Sequence, residues 1–277
     1  MYTFIDSIDD LAFLNRELME KPYLGVDTEF RRTTKDNMRL ALLQVNDGEE
    51  IYLIDTILIS NPKEHASFLF SNSVVKIFHS CKEDIEAVYA WTGQVMVNLF
   101  DTQLANAFLN GDYSIGYQGL VEEKLGIKID KGETRSNWIR RPLTDSQLKY
   151  ASSDVEFLIN LYLDQKESLV EENKLCWLEE EVSFLSSRIF EPIDYFEDIP
   201  LKITKAEEKS LLLKFNQLVE LISEQKKINC TLFFSKKSQK DFLRLVFNLG
   251  QKASLNKITK WRSSLFEDSL SYLLKDF

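Results

Sequence analysis

Three short stretches of this 277-residue chain hold residue types that could do chemistry. Asp27-Thr28-Glu29 ends an apolar run, Asp84 follows another, and Tyr150 and Asp154 lie four apart in a third. Asp27 and Glu29, two apart on a strand, project from one face about 7 Å apart along the chain. Tyr150 and Asp154, at i and i+4 of a helix, also share a face. Two carboxylates on one face of a buried strand repel and are costly unless a cation neutralises them. Acids converging from strand ends and a nearby helix make a pocket for divalent metal ions, and two such ions with a tyrosine beside them cut phosphodiester bonds. Each piece has a plainer reading by itself. Asp27 or Glu29 could cap a helix or pair with Arg31 or Arg32. Asp84 could be an ordinary first-turn acid favoured by the helix dipole. A tyrosine near an aspartate is commonly a satisfied hydrogen bond. The signal is strong only with all three pieces in this order on these elements.

The elements that must position these groups follow from patterning. Helical spacing over Ser7–Glu20 precedes a strand at Tyr23–Phe30. Arg39–Asn46 and Glu50–Asp55 read as two strands around the hairpin signal Asn46-Asp47-Gly48. A short strand at Val74–His79 leads to a helix over Lys82–Trp91 that Gly93 stops. Val95–Phe100 reads as another strand, and Thr102–Leu109 and Gln118–Leu125 as short helices. Thr144-Asp145-Ser146-Gln147 is a capping-box signature for a helix predicted to run past Tyr162. A hairpin followed by strand–helix alternation predicts an α/β domain, a mixed sheet flanked by helices. Glu191-Pro192 through Pro200 reads as a linker, and everything after Thr204 as helical. The predicted division is therefore 1–195 and 196–277.

Composition bounds the rest. Apolar residues make up 44% of the chain, enough for a packed core. The longest apolar runs, such as Val95–Phe100, fall far short of a membrane span. Cys81, Cys176 and Cys230 form no CxxC pair, which fits a reducing cytoplasm and gives zinc no obvious site. The net charge of −10 argues against a nucleic-acid partner when taken alone. It is unevenly spread, however. Residues 201–277 hold 15 Lys+Arg and 8 Asp+Glu, a net of +7, which leaves −17 for residues 1–200. That asymmetry fits an acidic catalytic body with a basic accessory module, or merely acidic solvated faces at Glu171–Glu172 and Glu179–Glu181.

The three pieces, with their flanks, resemble the DEDD exonucleases of the tyrosine subclass, in the ribonuclease H-like superfamily. Val26-Asp27-Thr28-Glu29-Phe30 is similar to the first family motif, and Leu42-Leu43-Gln44-Val45 to the strand after it. Ile77-Phe78-His79-Ser80 with Asp84 is similar to the second. Phe100-Asp101-Thr102-Gln103 and Val121-Glu122-Glu123 resemble intervening segments. Arg135-Ser136-Asn137-Trp138, Arg141-Pro142-Leu143-Thr144, Tyr150-Ala151 and Asp154-Val155 resemble the ribonuclease D branch in particular. The likeness covers about residues 1–190. Leu255-Asn256-Lys257-Ile258 and Trp261-Arg262 resemble, more loosely, the HRDC helical domain that follows that nuclease.

The resemblance implies a ribonuclease H-like fold followed by a small all-α HRDC-like domain. It implies a 3′→5′ exoribonuclease that releases 5′-mononucleotides. Asp27, Glu29, Asp84 and Asp154 would hold two divalent ions, with Asp27 bridging, and Tyr150 would orient the attacking water. Oxygen donors without a histidine or cysteine cluster favour Mg²⁺ or Mn²⁺ over zinc. The expected partner is an RNA 3′ end, tRNA precursors among them, met by a monomeric cytoplasmic protein without a membrane partner. Thr28, Phe30, His79, Arg135 and Arg141 are candidate substrate contacts. Phe30 and Trp138 could stack on bases or pack in the core. Arg31, Arg32, Lys35 and Arg39 flank the first motif, and Lys131, Arg135, Arg140 and Arg141 precede the third; either group could meet phosphate or serve the surface. A DNA exonuclease would carry the same acids, since only contacts to the 2′-hydroxyl separate the two. A catalytically idle RNA-binding scaffold would have no use for clustered acids that repel phosphate.

Overall fold

A computed structural model describes residues 2–34, 37–60, 62–129, 132–133, 136–190 and 204–274. The chain forms two compact units: Met1–Ala105 with Ser114–Glu171, and Asn106–Tyr113 with Glu172–Phe277.

The first unit is built on a six-stranded mixed sheet in the order β1-β4-β3-β2-β5-β6. Its strands are β1 (Tyr2–Ile5), β2 (Tyr23–Thr34), β3 (Asn37–Asn46), β4 (Ile51–Ile54), β5 (Val75–Phe78) and β6 (Leu99–Asp101). β2, β3 and β4 run antiparallel in sequence, while β1 joins β4, β5 joins β2 and β6 joins β5 in parallel. Leu24, Val26, Leu42, Leu43, Val45, Leu53, Ile54, Ile77 and Phe78 are buried in its core. The mixed sheet flanked by helices matches the expected fold class.

Three departures from the expected elements have local causes. β1 is too short for alternation to reveal it; pairing with β4 and the Asp55 N–H bond to the Ile5 carbonyl make it a strand. The strand expected at Val95–Phe100 begins only at Leu99, after Asn98 turns the chain at φ 54°. The long helix expected after Thr144 is two helices, α5 (Asp145–Glu156) and α6 (Leu158–Glu171). The break falls at Phe157, whose N–H donates to the Tyr117 hydroxyl at 3.0 Å.

Four further helices precede these. α1 (Ile8–Leu18) is capped by the Ser7 side chain, and α2 (Lys82–Thr92) ends at Gly93 in the left-handed region, as expected. α3 (Thr102–Phe108) and α4 (Tyr117–Leu125) follow. The capping box of α5 forms with both reciprocal bonds, Gln147 N–H to Thr144 Oγ1 and Thr144 N–H to Gln147 Oε1.

The second unit is all-helical over its described residues. α7 (Leu175–Phe190) belongs to it, although the sequence placed residues up to 195 with the first part. The reason is side-chain chemistry. Glu181 takes a forked bond from Arg262 at 2.5 and 2.7 Å and another from the Trp261 indole at 2.9 Å. Trp177 of α7 stacks on Trp261 with centroids 5.6 Å apart. α8 (Lys205–Lys226), α9 (Cys230–Phe234), α10 (Lys236–Leu249), α11 (Gln251–Leu255) and α12 (Lys260–Leu273) complete it. Phe215, Phe233, Phe234, Phe242 and Phe266 form its core, with Phe215 and Phe266 stacked at 4.9 Å. The expected linker at 191–200 lies outside the described residues.

Candidate active site

β2 carries the first group of candidate residues. Alternation puts Gly25, Asp27 and Glu29 on the face toward α5 and Thr28 on the other. Gly25 is what lets α5 come close. A Cβ there would lie 3.1 Å from Leu158 Cβ and 3.2 Å from the Val155 carbonyl oxygen. Opposite Gly25 in the register, Asn46 donates to the Val155 and Glu156 carbonyls at the C-terminal end of α5. A helix docked this closely brings Asp154 to the β2 acids. Carboxylate oxygens of Asp27, Glu29 and Asp154 all lie within 4.8 Å of one another.

Asp84 joins from the other side. It is buried in the first turn of α2, and its Oδ1 accepts from the Thr28 hydroxyl at 2.5 Å. The start of α2 is fixed by Asp101, whose carboxylate accepts from the N–H groups of Ser80, Cys81, Gln103 and Leu104. Asp84 is not one of the three acids within 4.8 Å, yet its charge is the strongest of those that reach Asp27.

The electrostatics of this cluster are severe. Burial, followed by repulsion from Asp84, Asp154 and Glu29, raises the Asp27 carboxyl well above the usual carboxylate range. Glu29 is pushed up to about 9, mainly by burial and then by Asp154 and Asp84. Burial also lifts Asp84 and Asp154 to about 7, opposed by hydrogen bonds from Thr28 and Tyr150 respectively. Such a set cannot be fully ionised near neutral pH without a cation. Its donors are all carboxylate oxygens, the preference of a hard divalent ion.

A cavity of about 240 Å³ opens beside the cluster, lined by Asp27, His79, Tyr117, Gln118, Tyr150, Asp154 and Leu158. Tyr150 and Asp154 hydrogen-bond to each other there, as their i, i+4 spacing permits. His79 faces the cavity, but both ring nitrogens are taken up, Nδ1 with Thr102 Oγ1 at 2.9 Å and Nε2 with the Ile115 carbonyl at 3.0 Å. Burial pushes its pKa down. It fixes the approach to α4 and is no metal ligand. Tyr117, which the sequence reading missed, enters the cavity from the start of α4. Its hydroxyl donates to the Ser153 carbonyl at 3.2 Å and accepts from Phe157, which ties α4 to the end of α5.

The other expected contacts fall elsewhere. Thr28 is buried, with its hydroxyl on Asp84. Phe30 is half-buried beyond the register shift at Glu29/Phe30 and is not among the described residues lining the cavity. Trp138 is buried and packs on the Tyr150 ring, with centroids 6.1 Å apart. Arg141 does not reach the cavity: its guanidinium is bound to Asp55 and to three backbone carbonyls. Arg32 pairs with Glu86 at 2.5 Å, joining β2 to α2. Lys35, Lys131 and Arg135 lie outside the described residues.

Residues 2–169 match the family described as 3′-5′ exonuclease. The chain belongs to that family. Ribonuclease D of Pseudomonas paraeruginosa is 40% identical over 193 residues, covering 69% of this chain and 51% of that protein. The chain spans about half the length of the curated relatives it matches. Among solved structures, Escherichia coli RNase D, described as an exoribonuclease involved in structured RNA processing, superposes with a TM-score of 0.67 at 25% identity. That likeness covers 100% of this chain and 75% of the other. Brucella melitensis NrnC with bound Mg²⁺ shares the fold, with a TM-score of 0.56 at 21% identity over 68% of this chain and 94% of that one. The helical second unit is in keeping with the expected HRDC-like part. Among the described residues, no helix is long and apolar enough to cross a membrane.

Proposed function

We propose that this chain is a 3′→5′ exoribonuclease of the ribonuclease D type. The observation that carries the reading is the meeting of Asp27, Glu29 and Asp154 within 4.8 Å of one another beside a cavity that Tyr150 also lines. Asp27, Glu29, Asp84 and Asp154 would hold two divalent ions, Mg²⁺ or Mn²⁺. The donor set and the raised carboxyls fit such a pair, since cations relieve the repulsion that the bare cluster carries. When bound, the ions would lower the pKa of a water and stabilise the leaving 3′-oxygen.

The chain's own residues do the positioning. Tyr150, bonded to Asp154 and exposed to the cavity, orients the attacking water along the line to the terminal phosphate. The bond it gives Asp154 favours the carboxylate over the acid, so it also keeps that ligand competent. His79 and Tyr117 shape the wall against which the terminal nucleotide rests. Cleavage of this kind releases one 5′-mononucleotide at a time.

On this reading the first unit carries the nuclease, and helices α8 to α12 form an HRDC-like module that grips RNA. The net of +7 over 201–277 supports the second part, because a backbone polyanion binds through cations that displace its counterions. Structured RNA 3′ ends such as tRNA precursors are the proposed substrate. The test is end-labelled RNA and matched DNA, each incubated with Mg²⁺, Mn²⁺ or EDTA. The reading expects stepwise loss from the 3′ end of RNA, abolished by EDTA. Faster loss from DNA would move the assignment to a DNA exonuclease.

A further inference from the structure

We propose that Arg141 is a positioning residue: acting through Trp138, it fixes the ring of Tyr150 at the cavity. The inference rests on the role given to Tyr150 above.

Arg141 uses all five guanidinium N–H donors inside the protein. Nε and one Nη2 proton fork onto Asp55 at 2.5 and 2.8 Å. The other Nη2 proton goes to the Ala41 carbonyl of β3 at 2.7 Å. Nη1 donates to the carbonyls of Trp138 at 2.6 Å and Arg140 at 3.0 Å. One planar group therefore ties the segment 138–141 to β3 and to the residue just after β4.

The anchor is rigid. Asp55 is fully buried, its N–H pairs with the Ile5 carbonyl of β1, and its Oδ1 accepts from Ile57 and Leu58. At the other end, Trp138 lies against Tyr150 with its ring tilted 39°. The Trp138 indole N–H is buried and has no hydrogen-bond partner among the described residues. Packing and the backbone bond from Arg141 are thus what orient the indole. Neither Arg141 nor Trp138 is among the described residues lining the cavity. An orienting hydroxyl loses effect on small displacements, so a loosened clamp lowers turnover without touching substrate.

Lysine keeps the charge opposite Asp55 but cannot form the fork. The experiment measures kcat and KM on a short oligoribonucleotide with saturating Mg²⁺ for wild type, Arg141→Lys, Trp138→Phe, Tyr150→Phe and the double variants with Tyr150→Phe. Thermal melting of each variant reports folding. Arg141→Lys and Trp138→Phe should each lower kcat about tenfold with KM nearly unchanged. Neither should lower kcat further when added to Tyr150→Phe. If Arg141→Lys fails to fold, Trp138→Phe carries the same comparison with the Asp55 clamp intact, because it deletes only an unpartnered N–H and part of a ring. An unchanged kcat in the folded single variants, a rise in KM instead, or a loss that persists in the Tyr150→Phe background overturns the proposal alone. An unaffected kcat in Tyr150→Phe itself overturns the role of Tyr150, and the positioning role with it.

Discussion

The Thr28 hydroxyl donates to Asp84 Oδ1 across 2.5 Å, joining two chemistry-bearing stretches 56 residues apart in sequence. The bond favours the ionised form of Asp84 against the burial that lifts its pKa to about 7. Thr28→Val keeps the shape of the side chain and deletes the donor. It should cost about 1–3 kcal/mol at about pH 9, where Asp84 is ionised, and clearly less at about pH 5. Urea unfolding in EDTA at both values checks this. An equal loss at the two pH values would mean that the hydroxyl serves packing alone.

The cluster makes metal-free stability depend on pH. Carboxyls whose folded pKa lies above the unfolded value contribute stability that is full below the unfolded value and is lost as pH rises through the folded one. Asp84 and Asp154 titrate near 7 and Glu29 near 9 when folded. The melting temperature in EDTA should therefore fall as pH rises through about 7 and on toward 9. Mg²⁺ should flatten the decline, since it binds the ionised cluster. Glu29→Gln should raise the melting temperature in EDTA at about pH 9 while weakening the response to Mg²⁺. A wild-type melting temperature in EDTA that climbs over this range would contradict the burial of the acids.

Lys76 gives a slope of the opposite sign. It is buried in β5, its ammonium donates to the Ser71 and Val74 carbonyls, and burial lowers its pKa to about 7. Between that value and the unfolded 10.5 the unfolded chain binds more protons, so this group adds stability as pH rises. Lys76→Met should remove that increment. The melting temperature of wild type minus that of the variant should increase as pH rises across that window, and a constant difference would contradict it.

The basic module should announce itself through salt. Lys236 and Lys240 are exposed on α10, one turn apart. Replacing both with glutamine should weaken binding to a tRNA-like RNA and reduce the slope of log affinity against log salt by about 1.4–1.8, with turnover on short oligonucleotides unchanged. Fluorescence anisotropy over a salt series measures it. An unaltered slope would remove these lysines from the RNA path.

Much of the site was legible because its chemistry is local in sequence. Asp27 and Glu29 share a face through strand alternation, and Tyr150 and Asp154 through one helical turn, so spacing alone placed each pair. The misread residues are those whose partners lie far along the chain. Arg141 reads as a phosphate contact until Asp55, 86 residues away, takes its guanidinium. Tyr117 looks like an ordinary helix start until its hydroxyl meets Ser153 and Phe157. The same long-range bond breaks the helix that periodicity extends past Tyr162. α7 carries a continuous helical pattern toward the linker, and only Glu181 and Trp177, through Arg262 and Trp261, decide which unit it joins.

On the proposed function, the carboxylate cluster hydrolyses RNA from its 3′ end with divalent ions. The most direct measurement is a time course on 5′-labelled RNA with Mg²⁺, comparing wild type with Asp154→Asn, whose melting in EDTA confirms the fold. Wild type should give a ladder shortening by single nucleotides with 5′-mononucleotide release, and Asp154→Asn should give none. Degradation by Asp154→Asn at the wild-type rate, or internal cuts in place of a ladder, would contradict the account.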